Sequence, residues 1–102
     1  MFQMVLQFKP WGERDFDDLI RVEDHLIELL GGDAKVDGHD SGSDEVNIFI
    51  FCADPPSVLG RCVEAAEAAG FLPILAVAYR VVLTDVYTRL WPKGVSSPFG
   101  LK

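Results

Sequence analysis

The residues best suited to chemistry in this 102-residue chain are Asp37, His39 and Glu45. Asp37 and His39 are two apart, a spacing that a β-strand aims in one direction, and Glu45 follows just beyond Ser41-Gly42-Ser43. If the flanking segments pair as a hairpin centred on Gly42, His39 lies opposite Glu45 and Asp37 opposite Asn47, all on one sheet face. Such a set offers the oxygen and imidazole ligands of a metal site. It also offers a histidine beside a carboxylate, an acid–base pair for neutral pH. Neither chemistry carries a specific signature: HExxH, paired cysteines at ligand spacing and a calcium-loop pattern are all absent. The sequence therefore assigns no catalytic residue, no metal ligand and no cofactor.

The same face supports a different reading. Gln3 and Gln7 of an N-terminal strand join Glu45 and Asn47 there, beside Phe49 and Phe51. Two aromatic rings on a face without helices form an apolar patch of the kind that marks contact with another chain. The candidate binding residues are thus Asp37, His39, Glu45, Asn47, Phe49, Phe51, Gln3 and Gln7. Other groups are weaker candidates. His25 follows Asp24 on a helix and reads as a surface residue, Cys52 and Cys62 read as small core residues, and Tyr79 with Arg80 could line a pocket. The glycines lack phosphate-loop spacing.

The elements that must position these residues follow from periodicity. Phe2 to Phe8 alternates with period two, predicting a half-buried strand. Asp15 then caps a helix whose Phe16, Leu19, Ile20, Glu23, Leu26, Ile27 and Leu30 recur at steps of three and four, until Gly31-Gly32 stops it. Lys35 to Asp40 and Glu45 to Ala53 read as two strands, the second apolar on both sides except at Asn47 and hence central. Asp54-Pro55 opens a second helix, with Asp54 as cap and Val58, Leu59, Cys62, Val63, Ala66 and Ala69 as its buried stripe. Ile74 to Val82 and Val86 to Trp91 complete the set, and residues 93–102 read as an irregular tail. The expected architecture is α+β: a ferredoxin-like βαββαβ sandwich over residues 1–92, with an extra C-terminal strand and both helices on one face of an antiparallel sheet. That architecture hosts many unrelated activities.

Composition narrows the partners. Hydrophobic residues make up 49% of the chain, enough for a packed core, and its length suits one domain. Residues 1–54 hold 13 acids and 4 bases, whereas residues 55–102 hold 3 acids and 5 bases. A net charge of −7 disfavours nucleic acid and favours a basic partner. No apolar run is long enough to span a membrane, and Met1 to Phe8 lacks the basic lead-in of a signal peptide. Two cysteines in apolar runs suit reduced thiols in the cytoplasm.

From Asp37 through Phe51, with Asp54-Pro55, Ala78-Tyr79-Arg80 and Leu90-Trp91-Pro92, the chain resembles a group of small bacterial proteins with no assigned activity. That resemblance implies a compact ferredoxin-like domain from a bacterium. In size and acidity the chain is also similar to bacterial immunity proteins, which neutralise a toxin by binding it. Three readings result: a protein-binding or homodimerising domain using its open sheet face, a small metal-binding protein or enzyme centred on Asp37, His39 and Glu45, and an immunity-type inhibitor of a basic toxin.

Overall fold

The computed structural model describes residues 1–94 and 99–100. Five strands, β1 (Phe2–Phe8), β2 (Ala34–Gly42), β3 (Glu45–Cys52), β4 (Leu75–Val81) and β5 (Thr88–Trp91), are joined by two helices, α1 (Phe16–Leu30) between β1 and β2 and α2 (Pro55–Ala68) after β3, and a short 3-10 turn precedes β4. The strands form one open antiparallel sheet in the order β2-β3-β1-β4-β5. Strand β3 is interior, as its two-sided apolar pattern requires. The tail expected at 93–102 falls partly on residues 95–98 and 101–102, outside the described residues.

Alternation in β1 sets the layers. Met4, Leu6 and Phe8 join Val46, Ile48 and Ile50 of β3 and Leu75 and Val77 of β4 in one core, beneath Leu19, Val22, Leu26 and Leu30 of α1 and Val58, Cys62, Ala65 and Ala66 of α2. Both helices therefore cover the same sheet face. At one end Phe8, Trp11 and Phe71 meet edge to face, with centroids 5.3–6.3 Å apart.

Asp15 caps α1 as expected, accepting from the Asp17 amide at 2.9 Å, and Gly31 closes the helix at φ 53°. The buried stripe of α1 is narrower than periodicity suggested, because Phe16 and Ile27 are exposed. Asp54 makes no side-chain cap on α2; the Ser57 hydroxyl instead donates to its carbonyl at 2.8 Å. Ala69 is exposed rather than buried, since α2 ends at Ala68. The C-terminus of α1 has no basic residue of its own in the last turn. Arg61 of α2 supplies one, donating to the carbonyls of Leu29 and Leu30 and pairing with Asp33 at 2.9 Å. No helix among the described residues is long and apolar enough to cross a membrane.

Candidate functional site

The geometry of the β2–β3 hairpin decides which candidates can meet. The chain turns at Ser43-Asp44, with Gly42 opposite Glu45, Ser41 opposite Val46, Asp40 opposite Asn47 and His39 opposite Ile48. The expected pairs, His39 with Glu45 and Asp37 with Asn47, do not form. The cause lies outside the hairpin. The aromatic cluster fixes Trp11, whose amide donates to the Asp44 carbonyl at 2.9 Å, while the Gly12 amide donates to the Asp44 carboxylate at 2.8 Å. Held there, Asp44 adopts φ 57°, a left-handed conformation that aspartate tolerates better than most residues. This moves the turn centre toward β3 and inverts the facing of residues 38–42.

A β-bulge at Asp37 then restores the core register. Val36 pairs with Ile50 and Gly38 with Phe49, leaving Asp37 as the extra residue, and Gly38 takes φ 142°. Val36 thus stays beneath the helices while Gly38, expected there, lies on the opposite face.

These shifts disperse the proposed cluster. His39 shares the helix side with Ile48; its Nδ1 sits 2.9 Å from Glu23 Oε2 and its ring 5.3 Å from that of Phe16. Asp37 is exposed at the bulge on the sheet edge. Glu45 and Asn47 lie on the helix-free face with Gln3, Gln7, Phe49 and Phe51, as expected. Asp37, His39 and Glu45 therefore do not converge. No group of three or more His, Cys, Asp or Glu able to hold a metal occurs among the described residues.

The helix-free face is not uniformly open. Glu45 and Asn47 are each 1% exposed and Gln7 8%, while Val5 and Ala78 beside them are fully buried. Glu45 Oε2 accepts from Asn47 Nδ2 at 2.9 Å and Gln7 Nε2 at 3.2 Å. Asn47 Nδ2 also donates to Asp40 at 3.1 Å, and Gln7 Nε2 to the Gly100 carbonyl at 2.9 Å. Both amide groups thus use two donors each. Phe99 lies 5.2 Å from the Tyr87 ring and 5.6 Å from the Arg89 guanidinium, so Phe99-Gly100 crosses this end of the face.

The other end remains accessible. Gln3 sits between Phe51 and Arg80 in the ladder and accepts from Arg80 Nε at 2.9 Å. Arg80 also donates to the carbonyls of Val82 and Thr84 at 2.7 and 2.8 Å, fastening the β4–β5 connection. That connection presents Leu83 93% exposed and Val86 76% exposed, with Val81, Val82 and Met1 also at the surface. Sequence reasoning offered Arg80 only as a pocket candidate with Tyr79, and missed Leu83 and Val86 as surface groups because Val81-Val82-Leu83 looks like the buried end of a strand. The last strand, expected from Val86, begins only at Thr88, which leaves Val86 in the connection.

Two concavities lie elsewhere on the described surface. A groove of about 670 Å³ at the start of β2 is lined by Met1, Ile27, Lys35, Val36 and Phe51. A cleft of about 320 Å³ between the helices includes His25, Arg21 and Asp18. Neither takes in Tyr79, which packs partly buried against the core. Cys52 and Cys62 are buried and free. Burial pushes the Cys62 thiol up to about 12 and raises that of Cys52, leaving both protonated and poorly nucleophilic at neutral pH.

Scans against protein-family models, curated proteins and solved structures found nothing that matches this chain. The site's geometry alone carries the functional reading.

Proposed function

We propose that this chain is a non-enzymatic protein-binding domain, contacting a protein partner or a second copy of itself through the accessible end of its helix-free sheet face. The observation that carries this reading is the exposure of Leu83 and Val86 on a loop fastened by Arg80 to Gln3, whose other ladder neighbour is half-buried Phe51. Isolated exposed apolar residues are ordinary, but Leu83 and Val86 are exposed together with Val81, Val82 and Met1, whose carbonyl accepts from the Val82 amide, and such a group marks a contact surface. The contact set keeps Gln3, Phe49 and Phe51 and adds Arg80, Leu83 and Val86. Gln7, Glu45 and Asn47 serve as its buried floor. The metal or acid–base reading of Asp37, His39 and Glu45 loses its support, since His39 and Glu45 face opposite sides of the sheet.

The fold in this proposal is a ferredoxin-like βαββαβ unit with β5 added beside β4. Its support is the element order together with the spatial order β2-β3-β1-β4 of the first four strands. A cytoplasmic setting belongs to the same proposal, supported by two buried free thiols.

The test is a Leu83→Asp, Val86→Asp double variant compared with the native chain by light scattering and by affinity capture. Self-association or a captured partner should be lost in the variant while its thermal midpoint stays close to native. A native chain that is strictly monomeric and captures nothing, or a variant that keeps the same partner, removes the proposal. A second reading, inhibition of a basic toxin, is favoured by the exposure of Glu13, Asp15, Asp17, Asp24, Glu28, Asp37, Asp40 and Asp44 on α1, its approach loop and the hairpin. Affinity for a basic partner on that side should fall as salt is added, because contacts between exposed charges are screened.

A further inference from the structure

We infer that the Gln7-Glu45-Asn47 end of the helix-free face is a groove for an extended peptide, and that the chain's own Phe99-Gly100 occupies it as a displaceable plug. The inference rests on the reading of this face as a protein-contact surface, and it names what the covered half receives: a segment carrying an aromatic side chain followed by a small residue.

Three observations support it. First, Val5, Ala78, Glu45 and Asn47 are 0–1% exposed on a face that bears no helix, so this end of the sheet is built to be covered. Second, the segment seated there is held in the manner of a bound peptide. One backbone carbonyl, that of Gly100, accepts from Gln7 Nε2, and one ring, that of Phe99, lodges against Tyr87 and Arg89. Peptide recognition commonly divides in this way, with main-chain hydrogen bonds giving affinity and a side-chain pocket giving selectivity. Third, Asn47 Oδ1 is buried in the same cluster with no hydrogen-bond partner among the described residues. Both Asn47 amide hydrogens are spent on Asp40 and Glu45, so the oxygen is a spare acceptor. A peptide that brings a backbone N–H to that oxygen makes a contact that Phe99-Gly100 does not make. That difference gives a competitor the advantage it needs, because a ligand displaces a resident only through differential interaction.

The tail is then autoinhibitory. While Phe99-Gly100 is docked, an incoming peptide binds with an apparent affinity reduced to the fraction of molecules whose groove is empty. The accessible end, with Gln3 and Phe51 on the same sheet face and Leu83 on the connection after β4, can hold the rest of a partner while its extended segment takes over the groove.

The test uses the full-length chain, its Phe99→Ala variant, and a synthetic Ser-Pro-Phe-Gly-Leu-Lys peptide matching residues 97–102. Side-chain amide signals of Gln7 and Asn47 are followed by NMR. In the variant those amides should exchange faster with solvent, and added peptide should shift them saturably, about tenfold more tightly than in the native chain, if the tail fills the groove nine-tenths of the time. A peptide with its phenylalanine replaced by alanine should cause no such shift. Equal affinity in native chain and variant, or no saturable shift at Gln7 and Asn47 in either, overturns the inference. Should Phe99→Ala lose dispersed backbone signals, Phe99→Leu weakens the plug's own ring contact while leaving Tyr87 and Arg89 in place for the peptide, and is read in the same way. The measurement is independent of Leu83 and Val86, so failure of the plug and failure of the contact surface are told apart.

Discussion

On one side of the sheet, Met4, Leu6, Phe8, Ile48 and Ile50 meet the apolar stripes of two helices; on the other, Gln7, Glu45 and Asn47 reach nearly the same burial with polar side chains. The first face is held by area removed from water, which is non-directional and tolerant of small rearrangements. The second depends on a set of directed donors and acceptors, in which Glu45 Oε2 receives one hydrogen from each of two amides. A directed network loses its advantage when one member leaves, because the groups left behind are desolvated and unpaired. The comparison separates the fold's source of stability from the surface that a partner's presence could remodel.

It can be broken or sharpened by substitution. The largest effect is expected on the helix side: Leu26→Ala should cost about 2–5 kcal/mol in urea unfolding, the range for truncating a fully buried leucine. A cost below 1 kcal/mol would mean that α1 is not packed as described. On the other face Glu45→Ala should cost about 1–3 kcal/mol, since it orphans one hydrogen on Gln7 and one on Asn47. Gly38→Ala should cost about 1–3 kcal/mol through its φ of 142° alone, as an added Cβ meets nothing within 4 Å. Failure to destabilise would show that the bulge relaxes.

Alkaline pH tests the helix side again. The folded Cys62 thiol holds its proton to about 12, against 9.0 for an ordinary thiol, so above pH 9 the unfolded chain binds fewer protons than the folded one. The stability conferred by the protonated thiol is complete below pH 9 and is lost as pH rises toward 12, by about 1.4 kcal/mol per unit. Urea midpoints at pH 7 and 10 should diverge more for the native chain than for Cys62→Ala. The smallest effect is expected at His39: Glu23→Gln removes a partly exposed pair 2.9 Å apart and should change stability by at most about 1 kcal/mol.

Much of the scaffold was readable in residue order. Period-two alternation placed β1, a run apolar on both sides placed β3, three-four spacing placed α1, and the Asp15 and Gly31 ends of α1 fell where capping chemistry put them. The assignment of Gln3, Gln7, Phe49 and Phe51 to the helix-free face followed from the same parity. The facing of His39 did not. It depends on where the hairpin turns, and that is decided by Trp11 and Gly12 gripping Asp44 from more than thirty positions away in the chain. A local clue existed in Gly38, since a lone glycine within a strand often marks a bulge. The covering of Glu45 and Asn47 was likewise out of reach, because Gly100 meets Gln7 across almost the full length of the chain.

The clamp made by Arg61 has a consequence for how the molecule opens. Because α1 borrows the cation at its carboxyl end from α2, melting α2 strips α1 of that charge at the same moment. The acidic opening portion and the faintly basic closing portion should therefore come apart together. Amides at Leu26 and Leu30 should then exchange at the same free energy as those of β1 and β4, in a single all-or-none transition.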